Sequence, residues 1–223
     1  MKKHEYNNIE TFMISKMSDS AHDIHHVYRV LNATVDIANY EENIDMDVLI
    51  AAALLHDIGR EAQFENPSVC HAQHGGEIAY DFLKLQHWAE EKAFHVKQCI
   101  QQHRYRSDNP PESIEAKILF DADKLDVTGA IGIARTLQYE GHTAAPLYTL
   151  DENNKIITET SDKNSTSFFQ EYNFKLKKVY DVFFTEYARK IAIIRQQAMM
   201  DFYNNLYAEI NQNYENGMCR LYM

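Results

Sequence analysis

The tandem His56-Asp57 closes the run Val48-Leu49-Ile50-Ala51-Ala52-Ala53-Leu54-Leu55 and makes the clearest chemical demand in this sequence. A run that is apolar on every side predicts a buried helix, so the pair is carried into the core with it. An ionised carboxylate taken out of water costs several kcal/mol unless it is paired or bound to a cation, so Asp57 needs a strong partner. A divalent cation is the simplest one. Nine of the 11 histidines, His22, His25, His26, His56, His71, His74, His87, His95 and His103, lie between positions 22 and 103, and none follows His142. Imidazole and carboxylate together suit Mn, Fe, Co, Ni or Zn better than Ca, and open coordination positions admit a phosphate oxygen and a water. Such a centre polarises phosphorus and acidifies water, which is the equipment of a hydrolase.

Size and charge fit that chemistry on a small substrate. A chain of 223 residues, 45% of them hydrophobic, buries a full core and reads as a single domain. Lys+Arg 22 against Asp+Glu 33 gives a net charge of -11. That balance disfavours a nucleic acid polymer or an anionic membrane as the partner. A small phosphorylated ligand needs only local cations, and Arg60, Arg104, Arg106, Lys124 and Arg135 are the candidates. The start, Met1-Lys2-Lys3-His4-Glu5, is followed by Asn7, Asn8 and Glu10 where a signal peptide would be apolar. No stretch approaches about 18 uninterrupted apolar residues, so a cytoplasmic protein is expected. Cys70, Cys99 and Cys219 form neither a disulfide framework nor a Cys-x-x-Cys pattern, and Cys70 reads as a small packed hydrophobe.

The elements that must position these residues are helical. Only 7 Gly and 4 Pro, with long stretches of period near 3.6, predict an all-α protein. One helix is expected from about Asp23 to Asn39, with Val27, Val30, Leu31, Thr34, Val35 and Ala38 on one face. A second, from about Asp45 to Ile58, is expected to stop at Gly59 in a left-handed C-terminal position. Others are expected over His71 to Leu85, Ala89 to His103, and from Glu112 to Asp123 after Pro110-Pro111. From Gly141 to Ser167 the chain turns polar and irregular, a long loop, a lid or a short hairpin. Beyond it, Phe169, Tyr172, Leu176, Val179, Phe183 and Tyr187, then Ile191, Ile194, Ala198, Phe202, Leu206 and Ile210, follow helical spacing. The expected organisation is a helical core over 1–140, a loop over 141–167 and a C-terminal helical hairpin over 168–215, all in one domain.

Three segments together carry a resemblance. Asp23-Ile24-His25-His26-Val27-Tyr28-Arg29-Val30, Leu54-Leu55-His56-Asp57-Ile58-Gly59-Arg60 and Asp121-Ala122-Asp123-Lys124-Leu125-Asp126 resemble, in order and spacing, the signature segments of the HD superfamily of metal-dependent phosphohydrolases. Cys70-His71-Ala72, Gln102-His103-Arg104 and Gly129-Ala130-Ile131-Gly132-Ile133-Ala134-Arg135 resemble a bacterial subgroup that includes nucleoside triphosphate pyrophosphohydrolases. The resemblance covers residues about 20 to 140. It implies an HD-domain helical bundle with His26, His56, Asp57 and Asp123 as ligands of a divalent transition metal. Mn is the first choice, with Fe, Co, Ni, Zn or Mg as alternatives. His26 is taken over His25, and Asp123 over Asp121 or Asp126, on the family phrases.

The same resemblance implies phosphate contacts from Lys124, with Arg60, Arg104 and Arg135 as further ligand-binding cations. Glu61, His71 and His103 are candidates for handling protons, and His71 and His103 for a second shell or a second metal. His74 matches no family phrase. The aromatic stripe from Phe169 to Tyr187 reads as core packing rather than a base-stacking platform. The segment Ser165-Thr166-Ser167-Phe168-Phe169-Gln170-Glu171-Tyr172 departs from the subgroup in lacking a histidine. The expected activity is hydrolysis of a nucleoside or deoxynucleoside triphosphate to monophosphate and pyrophosphate. The alternatives are a nucleotidase, another phosphoester hydrolase of the superfamily, or a non-catalytic metal or nucleotide sensor. Oligomeric state is left open.

Overall fold

The computed structural model describes residues 1–17, 24–104, 109–159 and 167–221. Among them the fold is all-α, and Leu150 and Ile156 form an isolated antiparallel bridge. The described chain divides into two compact units, residues 1–126 with 183–188, and residues 127–182 with 189–223.

The first unit holds α1 (Lys3–Lys16), α2 (Ile24–Ala38), α3 (Met46–Leu55), α4 (Arg60–Glu65), α5 (His71–Leu85), α6 (Glu90–Gln102) and α7 (Ile114–Leu125). α3 is the central one. Leu49, Ala51, Ala52, Ala53, Leu54 and Leu55 are wholly buried, while Ile50 is half-buried, so this apolar helix is enclosed except along the side of Ile50. Asp45 caps its start, accepting from the amides of Asp47 and Val48 at 3.1 and 3.3 Å, and Ser113 caps α7 through the Ala116 amide at 3.1 Å. Around α3 the buried faces are Val27, Val30 and Ile37 of α2, Ala79 and Leu83 of α5, Val96 and Ile100 of α6, and Ile118 and Leu119 of α7.

Gly59 corrects one expectation. Its φ is -90°, not left-handed, and α3 ends at Leu55 before a turn through His56 to Gly59. The position needs glycine for space: a Cβ would fall on the carbonyl oxygen of His71 and 2.7 Å from the Gly75 amide. Among the described glycines the positive φ is that of Gly129, at 61°. α1 and α4 lie outside the periodic stretches read from sequence. α1 buries only Ile9 and Met13 and α4 buries nothing, so neither has a face for pattern to reveal.

The second unit holds α8 (Gly129–His142), α9 (Phe168–Phe174), a 3-10 segment (Leu176–Asp181) and the body of α10 (Glu186–Leu221). Asn173 donates to the Tyr203 hydroxyl at 3.1 Å, and Tyr172 stacks on Tyr203 at 4.4 Å, the core packing expected of the aromatic stripe. In the segment after α8, Asp151 makes a tight turn, its amide donating to Lys155 O at 2.8 Å and its carboxylate accepting from the Asn153 and Lys155 amides. The first arm of the expected hairpin is not one helix. Its apolar period persists, but helical hydrogen bonding stops before α10 because Asp121, buried in the first unit, takes the amides of Phe184 and Thr185 at 2.9 and 2.7 Å. The Thr185 hydroxyl adds a bond at 2.6 Å.

Candidate metal centre

His26 lies in the first turn of α2, His56 and Asp57 in the turn leaving α3, His71 at the start of α5, His103 just past α6, and Asp123 in the last turn of α7. Five of the six, His26, His56, Asp57, His71 and His103, are no more than 1% exposed. His25, next to the buried His26, is exposed, and so is His74.

Each of the four imidazoles is held at Nδ1 by an acceptor that cannot donate. His56 donates to Ala53 O at 2.8 Å, His103 to Ile100 O at 2.6 Å, His71 to Gln63 Oε1 at 2.5 Å and His26 to Asp126 Oδ2 at 2.7 Å. With the proton fixed on Nδ1, the Nε2 lone pair of a neutral ring is left pointing inward. The Nε2 atoms of His26 and His56 come to 3.3 Å of each other. Asp57 Oδ2 is 3.6 and 3.7 Å from them, and Asp123 Oδ1 is 3.5 Å from His26 Nε2. The other Asp57 oxygen, Oδ1, lies 3.5 Å from His71 Nε2 and 3.7 Å from His103 Nε2, and accepts from Arg60 Nε at 2.9 Å. Asp57 thus stands between two triads with metal-ligand spacing, His26 with His56 and Asp123, and its own with His71 and His103.

Among the described residues this interior holds more acceptors than donors. Asp57 Oδ2, His71 Nε2 and His103 Nε2 are buried without a hydrogen-bond partner. Each such atom costs about 1–3 kcal/mol, and a cation can satisfy several converging acceptors together. A divalent metal fits this donor set. The charges agree. Burial lowers the His26 pKa, but Asp126, Asp57 and Asp123 outweigh it and take it up to about 9, so a proton there is the smallest cation that balances the site. Burial takes His56 down to about 4 and, with Arg60, His71 to about 2. Burial pushes both carboxyls up, yet His56 and Arg60 hold Asp57, and Lys124 and His26 hold Asp123, well below the ordinary range.

The remaining sequence candidates fall at several places in the fold. Lys124 Nζ donates to Asp123 Oδ2 at 2.8 Å, and Arg104 Nη1 lies 4.0 Å from Cys70 Sγ. Cys70 is half-buried at the N-cap of α5 and joins neither triad. Glu61 is exposed on the first turn of α4, Arg135 lies half-buried on α8 in the second unit, and Arg106 lies outside the described residues. The two carboxylates weighed against Asp123 have other employment, Asp121 on Phe184 and Thr185, and Asp126 on His26 and Arg29. Sequence reading did not single out Gln63 or Arg29, and it weighed Asp126 as a ligand rather than as the partner of His26. The signal available was spacing: Arg29 follows His26, and Asp126 follows Asp123, by three residues, which places each on the same side of its helix.

The HD domain family model matches residues 23–128, which include both triads. The uncharacterised Bacillus subtilis protein YpgQ is 30% identical over 208 residues, 91% of this chain and 92% of its own. The chain belongs to the HD superfamily of metal-dependent phosphohydrolases. Among solved HD proteins, a predicted HD superfamily hydrolase from an uncultured Thermotogales bacterium is 30% identical, with 93% of this chain and 92% of that one covered and a TM-score of 0.61. The crystal structure of Bacillus subtilis YpgQ in complex with ADP is 27% identical, with 92% and 95% covered and a TM-score of 0.71. In this HD chain the all-α bundle and a His/Asp cluster able to hold a divalent metal go together. No helix among the described residues is long and apolar enough to cross a membrane.

Proposed function

We propose that His26, His56, Asp57 and Asp123 hold a divalent transition metal, Mn by preference, and that this HD enzyme hydrolyses nucleotides in the cytoplasm. The convergence of imidazole and carboxylate acceptors on a buried space, with Asp57 Oδ2, His71 Nε2 and His103 Nε2 left unpartnered, carries the reading. A bound metal supplies Lewis acidity toward a phosphoryl oxygen and makes water a stronger acid. Arg60 and Lys124, each tied to a carboxylate of the cluster, present positive charge where a phosphate would sit, and Arg104 adds a third cation from the end of α6. His71 and His103 keep unpartnered Nε2 atoms beside Asp57; His103 can accept a proton from water or pass one to a leaving oxygen, while His71, held down to about 2, offers its lone pair as a ligand.

A nucleotide is supported as substrate class by the ADP bound to the related YpgQ. Within that class we assign hydrolysis of a nucleoside or deoxynucleoside triphosphate to monophosphate and pyrophosphate, following the resemblance of the motifs around His71, His103 and Arg135. The triad of Asp57, His71 and His103 favours a second reading, in which a further ion shares Asp57. The test is to strip the protein, restore Mn, Co, Mg or Zn separately, count bound metal, and assay a nucleotide panel for phosphate against pyrophosphate. Metal-dependent pyrophosphate release with one ion per chain is expected, and two ions per chain establish the second reading. Phosphate release would make the protein a nucleotidase, and nucleotide binding without turnover a sensor. Full turnover by Asp57→Ala and Asp123→Ala would overturn the mechanism.

A further inference from the structure

Of the four imidazoles around Asp57, three are held by neutral acceptors, Ala53 O, Ile100 O and Gln63 Oε1. His26 is held by a carboxylate, Asp126 Oδ2, at 2.7 Å. Asp126 is itself 5% exposed and fixed from outside: Arg29 Nε donates to Oδ1 at 2.7 Å and an Arg29 terminal nitrogen to Oδ2 at 2.9 Å. The result is a chain of charge-assisted bonds, Arg29 to Asp126 to His26, that ends on the Nε2 atom shared with His56, Asp57 and Asp123.

We propose that Asp126, clamped by Arg29, is a positioning residue that fixes the tautomer and orientation of His26 and sets how tightly the centre binds its metal. The inference rests on the metal site proposed above. Three physical effects support it. A carboxylate accepts only, so His26 must carry its proton on Nδ1 and present a lone pair at Nε2. An anionic partner makes the imidazole a stronger ligand than a carbonyl partner does. The two-point Arg29 contact occupies both Asp126 oxygens in a planar fork, which holds the carboxylate against the ring and keeps it from swinging in as a ligand itself. Asp126 is the C-cap of α7, three residues beyond Asp123, and Arg29 is three beyond His26 on α2. The clamp therefore ties together the two helices that bring His26 and Asp123 to the same point.

The experiment titrates metal-free protein with Mn by calorimetry and with Co by absorption, for wild type, His26→Ala, Asp126→Asn, Asp126→Ala, Arg29→Ala, Arg29→Lys and the double variant His26→Ala/Asp126→Asn. Melting of each metal-free variant shows that it is folded, and the near-isosteric Asp126→Asn serves if Asp126→Ala does not fold. Asp126→Asn is expected to weaken Mn binding roughly 10- to 100-fold and to alter the Co spectrum, with Arg29→Ala weaker than wild type and Arg29→Lys between them. The double variant is expected to bind no more weakly than His26→Ala alone, because Asp126 acts through that ring. Wild-type affinity in folded Asp126→Asn, or losses in the double variant that simply add, would overturn the role of Asp126. If wild type binds no metal, or His26→Ala binds it like wild type, the metal site itself fails.

Discussion

Gly59 packs its backbone directly against that of His71, leaving no room for a side chain between the turn that carries His56-Asp57 and the start of α5. Gly59→Ala is expected to push α5 away, because the atoms a Cβ meets, His71 O and the Gly75 amide and Cα, are backbone and cannot rotate aside. The cost should be on the order of 2–3 kcal/mol, as for overpacking in a core, with metal affinity reduced alongside. Denaturant unfolding and metal titration read both, and wild-type values in the two would show that the helices separate freely.

Metal binding should depend on pH through His26. In the metal-free protein its pKa is raised to about 9 from 6.5, so the proton is held below 9 and must leave before Nε2 can ligate. Apparent affinity should rise about tenfold per pH unit between pH 6 and 8 and level off near 9. The same shift stabilises the metal-free fold fully below pH 6.5, and that contribution is lost as pH rises through about 9. Mn titrations across that range are the check, and a flat profile would contradict it.

Lys124 lies on Asp123 rather than apart from the cluster. Lys124→Met should lower kcat/KM by about 10- to 100-fold at saturating metal, and Lys124→Arg should retain more activity because charge is kept. Steady-state kinetics on the preferred nucleotide decide. Equal loss in both variants would point to a loss of packing instead of charge.

Glu140 is a buried carboxyl with one oxygen unpartnered, and burial together with the charge of Glu171 takes its pKa from 4.5 up to about 7. A raised carboxyl favours the fold while protonated, so its penalty grows as pH rises from about 4.5 to 7. Glu140→Gln should leave stability unchanged near pH 4 and raise it by about 1–2 kcal/mol at pH 8. Melting curves at the two pH values test this, and a variant no more stable at pH 8 would refute it.

Much of the fold was legible because helical periodicity is a local property. The reading of α5 agrees with its bounds, His71–Leu85, and the apolar α3 announces its own enclosure. The six-residue α4 carries Gln63 to His71, yet nothing in Arg60–Glu65 has a period to read. The break before α10 was illegible for another reason. The residues from Phe169 to Phe183 keep helical spacing, while the acceptor that captures the amides of Phe184 and Thr185 is Asp121, more than 60 positions earlier.

Sequence alone established that a carboxylate at the end of an apolar helix needs a strong partner, and the resemblance to the HD segments named the imidazoles set beside it. It did so because residue type fixes charge, hydrogen-bonding capacity and burial preference. Tertiary structure decided the rest: that Asp57 stands between two triads, that Asp121 and Asp126 support the fold and His26, and that Gly59 serves close packing. Those outcomes depend on which backbone and side-chain atoms from distant helices come within a few ångströms, and spacing along the chain does not encode that.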